Sequence, residues 1–227
     1  MNTDLAKALV DTLPLGTDRF YNPWTDSCVH DSEQNGPEAR LIRLAQHLAC
    51  KAKLILVGEA PGFQGCRYSG VAFTSEKLLM KGLIPRVDNG GARLTDRERP
   101  FSEPSATIVW EKLHDLGLAE NTLLWNAVQL HPFKPGEPWS NRTPTRSELA
   151  HGRGAIHLLK EEFPEARWVA IGRKAESQLA ALGIVGVATV RHPARGGATE
   201  FAKGLAEIAK ASTTTNRALL RPGTMGC

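Results

Sequence analysis

Lys53-Leu54-Ile55-Leu56-Val57-Gly58 decides the fold. Four large apolar residues stand in a row and stop at a glycine. The run is too short for a buried helix and does not alternate with polar residues. It reads as a strand covered on both faces, the kind that builds parallel sheets. Three similar runs follow: Leu123-Leu124-Trp125-Asn126-Ala127-Val128, Trp168-Val169-Ala170-Ile171-Gly172, and Val185–Val190. Helical spacing fills the gaps between them. Pro37 suits a first helical turn, and Leu41, Ile42, Leu44, Ala45 and Leu48 follow it. Further helices are expected over Glu76–Lys81, around Trp110, Leu113 and Leu116, over 145–162, Lys174–Leu182 and Phe201–Lys210. Thr145 with Glu148 three residues on forms a capping pattern for the 145–162 segment. Leu5, Leu9 and Val10 predict a short helix before residue 20.

Strands alternating with helices predict an α/β fold. The expectation is a single domain with a central four-stranded, mostly parallel sheet flanked by helices on both faces. Residues 1–52 read as a helical and loop lead-in, 53–210 as the core domain, and 211–227 as a polar C-terminal tail. Phe20–Pro37, Gly58–Gly70 and 85–104 are rich in Pro, Gly, Asp and Asn and read as loops. A loop as long as 85–104 in a compact domain is often functional.

The chain has 227 residues, 41% hydrophobic and 23% charged, which excludes disordered and fibrous classes. No apolar run approaches the roughly 20 residues of a spanning helix, and no signal peptide is visible, so a cytoplasmic protein without membrane contact is expected. A net charge of +4 is a weak pointer to a polyanionic partner. Cys28, Cys50, Cys66 and Cys227 stand far apart in sequence, without the close pair usual in metal sites. Reduced thiols and no metal are expected.

In an open parallel sheet, ligands bind beyond the carboxyl ends of the strands. Three such ends carry chemistry here: Gly58-Glu59-Ala60-Pro61-Gly62, Asn126 with the His131–Pro144 loop, and His192-Pro193-Ala194-Arg195-Gly196-Gly197. A carboxylate, a carboxamide and an imidazole are thus placed on one rim. Each residue also has a plainer reading. The glycine-rich loop lacks the Lys-Ser/Thr of a phosphate loop and the spacing of a dinucleotide fingerprint. Glu59 could be a surface charge, Asn126 could tie down a loop, His192 could be structural, and Phe73 could belong to the core.

Taken in order, these segments resemble the uracil-DNA glycosylase superfamily. Gly58–Gly62, Gly65 and Gly70-Val71-Ala72-Phe73-Thr74-Ser75-Glu76 resemble its first motif. Trp125-Asn126-Ala127-Val128 and Asn141-Arg142-Thr143-Pro144-Thr145 with Glu148 resemble its middle motif, and Arg191-His192-Pro193 its closing motif. The likeness runs from about Lys53 to Lys210 and is closest to the bacterial and archaeal branches first known from thermophiles. It implies excision of uracil from DNA, with uracil-containing DNA as partner, a nucleoid-associated monomer, and no cofactor. Phe73 would stack on a flipped base, worth about 1–3 kcal/mol. Asn126 offers a donor and an acceptor side by side, matching N3–H and O4 of uracil but not the same edge of cytosine. His192 would donate to O2 as charge builds there. Gly58 and Ala60 would line the base pocket.

The water activator has two candidates, Glu59 first and Glu76 second, because branches of the superfamily place a carboxylate at one or the other. Where the best-known members carry an aspartate, this chain has Ala60. Their thymine-excluding tyrosine falls at Gly62, with Phe63 or Tyr68 as possible substitutes. Leu130 occupies the place of a cluster-ligating cysteine in the iron–sulfur branches, so no cluster is expected. Arg195 would wedge into the duplex, and Arg142, Arg146, Arg191 and Lys203 would meet phosphates, as would Arg86, Arg93, Arg97 and Arg99. A glycosylase for another deaminated base, hypoxanthine or xanthine, and a non-catalytic uracil-DNA binding protein are the alternatives.

Overall fold

The computed structural model describes residues 1–219, with side chains to 211. In chain order the first half holds α1 (Thr3–Val10), β1 (Phe20–Tyr21), α2 (Pro37–His47), β2 (Leu54–Gly58), α3 (Cys66–Ser69), α4 (Glu76–Met80) and α5 (Pro104–Asp115). The second half holds β3 (Thr122–Asn126), β4 (His131–Pro132), α6 (Arg146–Ala150), α7 (Arg153–Glu162), β5 (Arg167–Ile171), α8 (Arg173–Ala181), β6 (Ala188–Val190) and α9 (Ala198–Leu219).

The main sheet has the order β3-β2-β5-β6, and every pairing is parallel. Alternate residues of β2 explain how it is covered. Leu54 and Leu56 pack with Phe73, Trp110 and Phe201, from the side of α4, α5 and α9. Ile55 and Val57 pack with Leu9, Leu44, Ile156 and Leu179, from α1, α2, α7 and α8. The period of two sends one set to each layer. Burial on both faces is why β2 is apolar throughout. The chain leaves β2 for β3 on one side, then crosses to β5 on the other. That reversal opens a crevice at the carboxyl ends, between Gly58, Asn126 and the segment after Val190.

The four-stranded sheet is as expected; several boundaries and small elements differ. Phe20–Tyr21, expected in a loop, pairs antiparallel with His131–Pro132 and forms a second small sheet. Two residues carry too little periodicity to be read from sequence. The 58–70 loop contains the single turn α3. The expected 145–162 helix divides into α6 and α7 at Gly152, where a Cβ would lie 1.8 Å from the carbonyl oxygen of Ala127. The bare Cα lets the turn press against the end of β3. The Thr145–Glu148 capping box is formed as expected. Strand β3 starts and ends earlier than expected, and β6 begins at Ala188. Helix α9 extends the expected Phe201–Lys210 span in both directions, into the segment expected as a tail; residues 220–227 lie outside the described residues. No helix among the described residues is long and apolar enough to cross a membrane.

Candidate active site

A cavity of about 310 Å³ opens at the carboxyl rim, lined by residues that include Glu59, Ala60, Gly62, Phe73, Asn126 and His192. Its floor is set by strand register. Gly58 on β2 pairs with Asn126 on β3. A Cβ at Gly58 would sit 2.7 Å from the Phe73 ring and 2.8 Å from Asn126 Oδ1. Only a residue without a side chain lets the ring and the carboxamide close over the strand end. Asn126 is 3% exposed, and its carboxamide makes no hydrogen bond with the described residues. Without a protein partner among them, its donor and acceptor remain available to a ligand in the cavity.

Phe73 has φ of 50°, rare for a non-glycine residue. Trp110 Nε1 donates to its carbonyl at 2.9 Å and holds this conformation. The ring stands 6.4 Å from that of His192. His192 follows β6, and its Nδ1 accepts the Ala194 N–H at 3.1 Å. The neutral ring therefore carries its proton on Nε2. Burial, reinforced by Arg191 and Arg195, holds its pKa below the ordinary histidine value. Both effects favour the neutral ring with its Nε2–H donor.

The two candidate carboxylates are separated by the fold. Glu59 lines the cavity; its Oε2 lies 3.7 Å from Lys174 Nζ, and its Oε1 is buried without a hydrogen bond among the described residues. Glu76 is fully buried and does not line the cavity. Its Oε1 accepts from Arg93 Nε and the Leu94 and Thr95 N–H groups, and its Oε2 from the Thr95 hydroxyl and the Phe101 N–H. Burial raises its pKa, but these donors outweigh it and leave the carboxyl below its ordinary range. Glu76 pins the 93–101 loop and has no oxygen free for water.

Arg142 reaches the cavity wall, but its guanidinium is committed to Glu148 at 2.6 and 2.7 Å and to the Phe133 and Arg19 carbonyls. It clamps the 133–144 loop to α6 instead of offering itself to a phosphate. Arg93 is likewise committed to Glu76. Arg191 and Arg195 are exposed on the turn leading into α9, and Arg195 sits at its tip with φ of 53°. Tyr68 is buried, stacked on Phe101, and Phe63 meets Phe101 edge-on; neither lines the cavity. The space beside Gly62 is instead faced by Asn141, 3.8 Å from where a Cβ would stand. Asn141 Oδ1 accepts the Phe63 N–H and lies 3.2 Å from His131 Nε2.

Glu103, Cys66, Asn141 and Thr143 complete the wall, none of them singled out by sequence as a binding residue. Asn141 and Thr143 lie inside the middle motif, which was the available signal. Glu103 lies at the end of the long 85–104 loop and gave none beyond that loop's length.

A model of the uracil DNA glycosylase superfamily matches residues 45–213. The chain belongs to this superfamily of DNA glycosylases. A similar fold is found in the crystal structure of wild-type SMUG2 from Pedobacter heparinus, with a TM-score of 0.61 and 13% identity over 94% of this chain and 98% of that one. No curated protein matches.

Proposed function

We propose that this protein is a monofunctional uracil-DNA glycosylase, hydrolysing the bond between deoxyribose and N1 of uracil to start base excision repair. The observation that carries the reading is the unpartnered carboxamide of Asn126, buried beside Phe73 in a cavity that also holds His192 and Glu59.

The chemistry follows from what each group offers. A uracil turned out of the duplex stacks on Phe73. Asn126 accepts N3–H and donates to O4. Cytosine presents an acceptor and an amino group there, so a fixed amide leaves unpaired groups against it. As the glycosidic bond lengthens, its electron pair moves onto the base and the sugar becomes cation-like. His192 Nε2–H donates to O2 and stabilises that charge without giving up its proton. The Glu59 carboxylate accepts a hydrogen bond from water, directs it at C1′ and takes its proton as the C1′–O bond forms. Gly58 and Ala60 shape the wall, and the exposed Arg195 at the turn tip occupies the gap left in the duplex, with Arg191 beside it on phosphate.

The experiment is release of free base from uracil-containing single- and double-stranded DNA, with Asn126→Ala as control. Release by the native chain and its loss in the variant is the expected result; no release from either substrate overturns the reading. A wider base range is the second reading, favoured by Gly62, which has no side chain of its own and leaves only the Asn141 carboxamide facing that part of the wall. A panel of deaminated and C5-substituted bases tests it.

A further inference from the structure

The cavity holds a second carboxyl that the mechanism above leaves unused. Glu103 precedes α5 and reaches back over α3. Its Oε2 occupies the space a Cβ on Gly65 would need, 1.8 Å from that position. Its Oε1 accepts one hydrogen bond, from the Ser105 hydroxyl at 3.2 Å. No cation pairs with it among the described residues, although it faces the same cavity as Asn126, Phe73 and His192.

The two carboxyls of the cavity stand in opposite settings. Glu59 has an ammonium 3.7 Å away. Glu103 has a single neutral hydroxyl, and nothing in its surroundings compensates a negative charge. Different environments for two carboxyls in one site assign them different roles.

We propose that Glu103 is a base-reading residue of this site, acting as a protonated acid whose O–H donates to O4 of the bound pyrimidine. The assignment rests on the glycosylase reading given above. With His192 on O2, the remaining carbonyl of the ring is O4. That oxygen has two acceptor directions, and Asn126 takes one. A carboxylic acid on the other adds a donor where negative charge spreads during bond cleavage; a carboxylate there would repel it.

The surroundings are consistent with this role. Burial pushes the Glu103 carboxyl up to about 7, against a small opposing effect of Ser105. The other ionisable groups facing it leave this titration distinct. On α3, burial and Glu103 itself raise Cys66 and keep it a thiol. Arg142 is held charged by Glu148, and His192 titrates below its ordinary range. Glu59 faces the cavity from the loop after β2.

The test is the pH profile of single-turnover uracil release by the full chain, by Glu103→Gln and by Glu103→Ala, with thermal unfolding recorded for each. The native rate is expected to fall above about pH 7. Glu103→Gln keeps an N–H donor but cannot ionise. It should lose that alkaline fall and run between the native chain and Glu103→Ala at pH 6. Glu103→Ala should be slower than the native chain at pH 6 by about ten- to a hundredfold, with its unfolding temperature unimpaired. An alkaline fall that persists in Glu103→Gln, or an alanine variant as fast as the native chain, overturns the assignment and leaves the glycosylase reading standing. Absence of base release by the native chain overturns both.

Discussion

Nδ1 of His192 accepts the backbone N–H of Ala194, two residues further on, at 3.1 Å. The bond fixes the tautomer, because a nitrogen that accepts carries no proton. It also opposes protonation, since a second proton on the ring would have to displace that N–H.

Nitrogen NMR should therefore show His192 titrating below a free histidine, with the neutral ring protonated on Nε2. His192→Ala should lower single-turnover release by about a hundred- to a thousandfold, the usual loss for one oxyanion donor. A neutral ring protonated on Nδ1 would contradict the assigned tautomer.

Gly58→Ala should separate binding geometry from folding. Its Cβ would meet both the Phe73 ring and the Asn126 oxygen inside 3 Å, so one of them must move. A displacement of about 1 Å costs on the order of a hundredfold in rate. The loss should appear in release kinetics and in weakened binding of free uracil, with the chain still folded by circular dichroism.

The two glutamates of the first motif should fail in different ways. Glu59→Gln should abolish most release and leave the unfolding temperature near native. Glu76→Ala removes the acceptor for three backbone N–H groups, Thr95 and Arg93, and should cost about 3 kcal/mol or more of stability. Chemical denaturation and release assays on the two variants check the contrast. The reverse pattern would return Glu76 to the chemistry.

Buried histidines should make part of the stability depend on pH. His47 Nε2 accepts the Leu124 N–H at 3.0 Å, and burial drives its pKa down to about 3. A base lowered on folding contributes stability that is complete above its unfolded value near 6.5 and is lost as pH falls below it. His131, driven to about 4 by burial, adds to the same trend. Glu103, raised on folding, works the other way over much of that window, so the variant comparison is the decisive one. The native chain should melt above His47→Ala by a margin that is widest near pH 7 and narrows by pH 5.

Arg195 should matter chiefly for duplex substrates. Arg195→Ala should slow release from double-stranded DNA more than from single-stranded DNA, where no gap needs filling. Parallel assays on the two forms of one sequence measure the difference.

Much of this was legible because buried parallel strands advertise themselves. Leu54–Val57 is apolar throughout since both faces of β2 are covered, and the glycine at its end located the site. The strand-end rule then placed Glu59, Asn126 and His192 on one rim. Contacts between segments distant in sequence were not legible. Nothing local says that Glu76 would collect donors from residues 93–101, that Arg142 would be consumed by Glu148, or that Glu103 would fold back over Gly65. The pairing of Phe20–Tyr21 with His131–Pro132 escaped notice for the same reason.

The register that sets Gly58 beside Asn126 ties discrimination to architecture. The carboxamide cannot be shifted without sliding β3 against β2, and a slide of one residue would turn every apolar side chain of β3 to the wrong layer. The turn after β6 and the loop bearing Glu59 carry no such penalty. Mutation can therefore explore rate, strand preference and grip on DNA at little risk to the fold. A change in which pyrimidine edge is accepted must come from the residue type at 126 or from the opposite wall, never from moving its position.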